Sequence, residues 1–224
     1  MKWYMKIRTS YVSNSSSSSF LILYKDLKDF DQLKAIKGYE TFMKDLQDHK
    51  SKELCIAEIE RFILNVVFEV EDNCPVFKEP YPFESYDVVE MLMETAKVPV
   101  KKLDKLLLKY RELAEDYMGE LLQVGLLDKI ERCSLVGLEK EEYDKYSEHR
   151  AKFIKTFTNL RWSDKEIKTL ADEIYKGFQE QGFEVHRLEY EDHTDEGWYM
   201  EKRFMPFIAK NPDCQYGIFL HNNH

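Results

Sequence analysis

The chain of 224 residues is long enough for one large domain or two small ones, and 43% of its residues are apolar, which can fill a hydrophobic core. Its net charge of −9 disfavours nucleic-acid binding, because that function depends on basic side chains that neutralise phosphates. We expect no membrane span, because no apolar run approaches the ~18 residues that a span requires, and no secretory signal, because no apolar stretch lies between Lys2 or Lys6 and the serines that follow. The four cysteines lie far apart with no CxxC pair, so we expect them to be reduced.

A run of five serines, Ser15–Ser19, stands directly before the apolar stretch Phe20–Tyr24. Serine runs are typical of solvated linkers, because they bury too little apolar surface to order the chain. Here Tyr11 and Val12 precede the run and β-forming residues follow it. We therefore predict an ordered polar loop over Ser13–Ser19, followed by a buried strand that anchors a sheet.

The same stretch carries a family resemblance. Lys6–Phe20 reads KIRTSYVSNSSSSSF. It resembles the signature KIRxGFVSNSSSSSF of many small, uncharacterised bacteriophage and prophage proteins, and departs from it at Ser10 (usually glycine) and Tyr11 (usually phenylalanine). The resemblance implies no reaction. It implies an origin in a phage or mobile element and a location in the bacterial host cytoplasm.

The middle of the chain, from about residue 31 to 127, has helical periodicity. Apolar residues recur there at spacings of three and four, and Pro75, Pro80 and Pro82 interrupt the pattern. The predicted helices are one that starts at Asp29–Asp31 and continues to Leu46, a second over Ile56–Val70, a short one over Ser85–Ala96, and a six-turn helix between Pro99 and Gly125.

The remainder of the chain alternates between strand and helix patterns. Strands are predicted over Ile130–Leu138, Phe183–Tyr190 and Gln215–His221, and helices over Glu139–Phe157, from the capping box Ser163–Glu166 to Gly182, and over Trp198–Lys210. The alternation in the second of these strands changes phase between Val185 and Leu188, which predicts a bulge or a twist. Together the elements predict an α+β fold in which six or seven helices cover a small mixed sheet of sequence-distant strands. We expect a single domain over residues 1–224, or a subdivision into a mainly helical part, 1–127, and an α/β part, 128–224.

Two groups of polar residues are candidates for ligand binding. Hydroxyl and N–H groups of a loop can hold phosphate, which makes Ser15, Ser16 and Ser17 candidate phosphate or nucleotide ligands. The run leads into a strand and lacks glycine and the lysine of a phosphate loop, so hydrogen bonding to the local backbone is the favoured interpretation. The second group consists of candidate ligands of a transition metal, namely His186, His193 and His221. It lacks the spacing of a known metal site, and we expect His186 on the polar face of its strand and no cofactor.

The segment Gly197–Phe207 holds more large apolar residues than one helix face can bury. We therefore predict that at least one of Trp198 and Tyr199 is exposed for a partner, although burial in the core is the commoner fate of such aromatics. The predicted partner-binding residues are Trp198, Tyr199, Lys202, Arg203 and Phe204.

No signature of nucleophilic catalysis is present, neither a GxSxG elbow nor the glycine-flanked cysteine of known proteases. The sequence therefore favours a non-catalytic accessory protein, encoded by a phage, that binds a bacterial host protein and could inhibit a host or defence factor. The alternatives are a small enzyme or nucleotide-binding protein with a site near the serine loop and the C-terminal histidines and carboxylates, and a minor virion component. No contact with nucleic acid or membrane is expected.

Overall fold

The computed structural model describes residues 17–48, 51–73, 84–133, 135–160, 163–191, 194–210 and 217–222. Within these ranges the chain is an α+β protein, as predicted, but it has nine α-helices there rather than six or seven. Its strands are β1 (Ser17–Tyr24), β2 (Glu184–Glu191) and β3 (Gly217–Asn222). Its helices are α1 (Tyr39–Asp48), α2 (Lys52–Asn73), α3 (Glu84–Thr95), α4 (Lys101–Gln123), α5 (Leu127–Cys133), α6 (Lys140–Leu160), α7 (Asp164–Glu180), α8 (Asp195–Tyr199) and α9 (Met205–Lys210), with a π-helical turn over Met200–Phe204 and 3₁₀ turns over Leu27–Leu33 and Leu135–Gly137.

The three strands form one sheet in the order β2-β1-β3. The first strand of the sequence is thus the central strand, and it pairs antiparallel with both neighbours, with Phe20 opposite Leu188 and Leu220. The predicted mixed sheet is wrong, because both ladders are antiparallel. Since β2 and β3 run in the same direction on either side of β1, the chain from β2 through α8 and α9 to β3 forms a split β-α-β unit.

Strand β1 is buried on both faces, which explains its unbroken apolar run. Successive side chains of a strand point to opposite faces. Leu21 and Leu23 pack in a cluster with α2, α3 and α7, whereas Phe20 and Ile22 pack in a second cluster with α1, the first 3₁₀ turn and the segment from α8 to α9. Each such side chain contributes about 1.5–3 kcal/mol on burial. The predicted buried strand is therefore confirmed, although it begins at Ser17 rather than Phe20.

A third apolar cluster lies away from the sheet. It joins the C-terminal half of α4 to α5 and α6 through residues such as Tyr117, Ile130 and Phe153. Leu103, near the start of α4, belongs instead to the first cluster. Helix α4 therefore connects the sheet layer to this helical part of the protein. None of the described helices is long and apolar enough to cross a bilayer.

Three local predictions are corrected by the structure. The predicted strand over Ile130–Leu138 is wrong: Ile130 lies in α5 and is buried in the third cluster. The predicted first helix is interrupted between the 3₁₀ turn, which ends at Leu33, and α1, and Gly38, with a φ of +94°, stands directly before α1. The prediction of a bulge in β2 is also wrong, because β2 pairs with β1 without a break from Glu184 to Glu191. The change of phase arises because β2 buries residues on both of its faces.

Other local predictions are confirmed. The six-turn helix corresponds to α4. The capping box at the start of α7 is present, with the Ser163 hydroxyl accepting a hydrogen bond from the Glu166 N–H and the Glu166 carboxylate accepting one from the Ser163 N–H. Cys55 is a free, buried thiol. Cys74, Cys214 and the side chain of Cys133 lie outside what the structure describes, so the prediction of reduced cysteines stays a prediction for all three.

Candidate functional site

The segment from α8 to α9, which contains the predicted partner-binding residues, is fixed firmly at its start. The Thr194 hydroxyl accepts a hydrogen bond from the Gly197 N–H at 3.3 Å and donates one to the Glu191 carbonyl at 2.8 Å. A side chain at Gly197 would place its Cβ 2.9 Å from the same carbonyl, so glycine allows this close approach. The helix therefore begins directly against the end of β2.

A π-helical turn over Met200–Phe204 sets the direction of the side chains in this segment. A π turn closes hydrogen bonds between residues five apart, and such turns are frequent at functional sites. Trp198 and Arg203 are five apart, and the Arg203 guanidinium lies 5.1 Å from the centroid of the indole ring. Ordinary α-helical spacing predicts instead that Arg203 shares a face with Tyr199. That prediction is wrong, because the sequence carries no signal for the π turn.

The segment is divided into a buried face and an exposed face. Tyr199, with 9% exposure, and Phe204, with 1%, pack in the second apolar cluster, where Phe204 contacts Phe42 at 5.1 Å between ring centroids. Trp198 is 46% exposed, and Lys202 and Arg203 are exposed beside it. The predicted exposure of one of the two adjacent aromatics is confirmed. Tyr199 and Phe204 belong to the core, however, and cannot contact a partner directly.

A lysine from another part of the chain completes this surface. The Lys37 ammonium lies 5.4 Å from the centroid of the Tyr199 ring, and a hydrogen bond to Tyr199 raises the pKa of Lys37. The Trp198 ring meets the Tyr199 ring edge-on at 5.4 Å. We call the exposed residues Lys37, Trp198, Lys202 and Arg203 the Trp198 surface. Lys37 was not predicted, because it precedes α1 and nothing near it in the sequence indicates this contact.

The serine run is connected to the Trp198 surface through Glu201. The buried Ser18 hydroxyl donates a hydrogen bond to one Glu201 carboxylate oxygen at 3.1 Å. The other oxygen lies 3.6 Å from the Lys202 ammonium. Ser18 therefore holds the middle of the π turn against the end of the central strand.

On the opposite face of the sheet, the next serine contacts a fully buried carboxylate. The Ser19 hydroxyl donates to one oxygen of Glu58 at 2.8 Å, and Arg187 Nε donates to the other at 2.9 Å. Arg187 also binds Glu189 at 2.8 Å. Burial alone would lower the pKa of Arg187, but its hydrogen bonds to the two carboxylates raise it above its usual value. Both oxygens of Glu58 thus have a donor, and the cluster attaches α2 to the sheet.

Sequence reasoning missed this cluster, although one signal for it exists. Glu58 stands three residues after Cys55 and four before Phe62, and therefore lies on the apolar face of α2. A charged residue in that position needs a partner, because an unpaired buried charge is too costly. Its partners come from β1 and β2, which are distant in sequence, so their identity is visible only in the fold.

The candidate phosphate ligands do not form a described loop. Ser15 and Ser16 lie outside the described residues, and Ser17 is the first residue of β1. The next two serines, Ser18 and Ser19, donate to carboxylates, whose charge would repel a phosphate. The last three residues of the predicted loop, Ser17–Ser19, belong to the strand, and Ser13–Ser16 lie outside the described residues.

The candidate metal ligands are not brought together in the described part of the chain. His186 is 1% exposed, so its predicted position on a polar face is wrong, and its Nε2 lies 3.0 Å from the Tyr24 hydroxyl. Burial raises the pKa of Tyr24 to about 12. His221 pairs with Ser19 in the register, whereas His186 pairs with Ile22. His193 lies outside the described residues, and within those residues no group of three or more His, Cys, Asp or Glu could hold a metal ion.

No protein-family model, curated protein or solved structure matches this chain. Its function therefore has to be inferred from the residues and their geometry.

Proposed function

We propose that this protein is a phage- or prophage-encoded accessory protein that acts in the bacterial host cytoplasm by binding another protein. The resemblance of Lys6–Phe20 to phage and prophage proteins supports the origin. The observation that carries the binding role is the exposed Trp198 ring, held beneath Arg203 on a segment whose other face is core.

An exposed tryptophan contributes more to binding than most side chains. A large aromatic side chain buries up to about 250 Å². With 46% of Trp198 exposed, about 115 Å² remains to be covered, which corresponds to about 3 kcal/mol at about 25 cal/mol per Å². Tryptophan and arginine are also the residues most enriched among those that dominate the binding energy of interfaces. Trp198 and Arg203 together therefore have the composition of an interface centre.

The anchoring of the segment supports the same role. Tyr199 and Phe204 fix it in the core, Thr194 fixes its start, and Ser18 holds Glu201. A partner would therefore meet a surface whose side chains are already positioned. Little conformational entropy would be lost on binding, which favours affinity.

The proposal is tested by affinity capture from a bacterial lysate with the wild-type protein, Trp198→Ala and Leu122→Ala. Leu122 is a matched control, because it is 56% exposed on α4 and lies outside the Trp198 surface. We expect at least one bacterial protein to be retained by the wild type and by Leu122→Ala and to be lost with Trp198→Ala. Equal retention by all three proteins, each with an unchanged thermal unfolding curve, would contradict the proposed role of Trp198.

A further inference from the structure

We infer that the Trp198 surface recognises a carboxylate, presented by a protein segment that carries Asp or Glu next to an apolar side chain. This inference rests on the proposed function and specifies the chemistry of the partner. The apolar side chain would cover the exposed part of the indole ring, and the carboxylate would bind Arg203.

The first observation is that Arg203 lacks a carboxylate partner among the described residues, whereas Lys37 has Asp195 as an electrostatic neighbour. In the part of the chain that the structure describes, no ion pair within 4 Å involves Arg203 or Lys37. Arg187 shows the contrast, since it binds both Glu58 and Glu189. The chain has 42 acidic residues against 33 basic ones, so carboxylates are plentiful. Arg203, which meets an aromatic ring instead, is therefore available to a carboxylate from outside.

The second observation is how Arg203 is held. It lies over the face of the indole ring, and a cation in that position keeps its N–H donors for other partners. The guanidinium fork matches a carboxylate in two parallel hydrogen bonds. The ring fixes the guanidinium in advance, so that less entropy is lost when those bonds form.

The third observation is that the acidic residue nearest to Arg203 in the sequence has other partners. Glu201 is only two residues away, but its carboxylate accepts from Ser18 and lies beside Lys202. Side chains two residues apart on a helical turn do not face each other, and the bond to Ser18 directs Glu201 toward the sheet. The N–H donors of the Arg203 guanidinium therefore stay available to a partner.

A protein carboxylate fits this surface better than a nucleic acid does. Phosphate backbones are bound by many basic side chains at once, and the net charge of −9 opposes such a multiply charged anion more strongly than a single carboxylate. A single carboxylate next to an apolar group needs only one cation and one ring face, which is what Arg203 and Trp198 supply.

The experiment uses random linear peptides displayed on a carrier as the probe. They are selected in parallel on the full-length wild type, on Arg203→Gln and on Lys176→Gln. Lys176 is a matched control, since it is an exposed cation on α7 outside the Trp198 surface. We expect Asp and Glu to be enriched next to apolar residues in peptides selected on the wild type and on Lys176→Gln, and not in those selected on Arg203→Gln.

One selected peptide is then synthesised with its carboxylate and with the corresponding amide. The amide should bind the wild type about tenfold more weakly or worse, because a hydrogen bond to a charged group is lost. Both peptides should bind Arg203→Gln equally. Selection of no peptide, or of peptides without acidic enrichment, would overturn the inference, as would equal acidic enrichment on Arg203→Gln.

The outcomes separate this inference from the proposed function. Neutral peptides whose binding is lost in Trp198→Ala would refute carboxylate recognition and leave the proposed function standing. Peptides that bind Trp198→Ala and Arg203→Gln as well as the wild type would refute both. Binding of a labelled single-stranded DNA that is lost in Arg203→Gln would replace the carboxylate with a nucleic-acid phosphate and so overturn the inference.

Discussion

Removal of the Glu58 carboxylate should destabilise the fold strongly. Glu58 is fully buried, and the Arg187 side chain, its partner at 2.9 Å, is 11% exposed. Loss of the Glu58 carboxylate removes two charge-assisted hydrogen bonds, from Ser19 and from Arg187, each worth about 1.5–3 kcal/mol, while Arg187 keeps Glu189 as its remaining carboxylate. We therefore expect Glu58→Ala to lower the free energy of unfolding by about 3–5 kcal/mol.

Two further variants separate charge from packing. Glu58→Gln keeps the shape and one acceptor, so the loss should be smaller, about 1–2 kcal/mol, the difference between a charged and a neutral hydrogen bond. The double variant Glu58→Met/Arg187→Met removes both charges and fills the space with apolar atoms. Replacement of a whole buried ion pair is often neutral or stabilising, so the double variant should be more stable than Glu58→Ala.

The assay is equilibrium unfolding in urea, followed by far-ultraviolet circular dichroism. Lys34→Gln is the control, because it removes one member of the exposed ion pair between Lys34 and Asp31, and exposed pairs contribute little. If Glu58→Ala were as stable as Lys34→Gln, or if the double variant were no more stable than Glu58→Ala, the structural role given to this cluster would be wrong.

Three further outcomes follow from the packing. Gly177→Ala should destabilise the protein in the same urea assay, because the new Cβ would overlap a backbone carbonyl just after α3. Gly119→Ala should stabilise α4 by about 0.5–1 kcal/mol, because no atom lies within 4 Å of the position of its Cβ. Burial raises the pKa of the Cys55 thiol from 9.0 to about 12, so the folded state keeps the proton that the unfolded state loses. The free energy of unfolding should therefore fall between about pH 9 and pH 12, less steeply in Cys55→Ala, and parallel curves would contradict this. Phe204→Ala should cost about 3–5 kcal/mol as a core truncation, whereas Trp198→Ala should leave the thermal midpoint nearly unchanged.

Elements with strong local signals were predictable from the sequence. The apolar run of β1, the long stripe of α4 and the capping box of α7 each indicate one structure, and each is present. The segment around Ile130 has no such signal, because a short apolar run fits a strand and a buried helix equally well. This segment is helical because it packs against α4 and α6, and that contact cannot be predicted from the local sequence.

The candidate site was predictable only in part. An excess of aromatics in one segment predicts an exposed ring, and Trp198 is exposed. The π turn that places Arg203 over that ring, and the arrival of Lys37 from before α1, depend on tertiary contacts. Sequence spacing therefore identified the segment, but not the arrangement of cations that gives the surface its chemistry.

The end of the serine run has a physical role that links the sheet to the candidate site. Ser18 and Ser19 are adjacent in a strand and therefore point to opposite faces, where each donates a hydrogen bond to a carboxylate. Ser19 meets Glu58 of α2, which attaches the helix layer, and Ser18 meets Glu201, which fixes the π turn beside Trp198. A hydroxyl is small enough to lie within a sheet buried on both faces and still satisfy a buried carboxylate. The same pair of residues thus stabilises the central strand and positions the surface proposed to bind a partner.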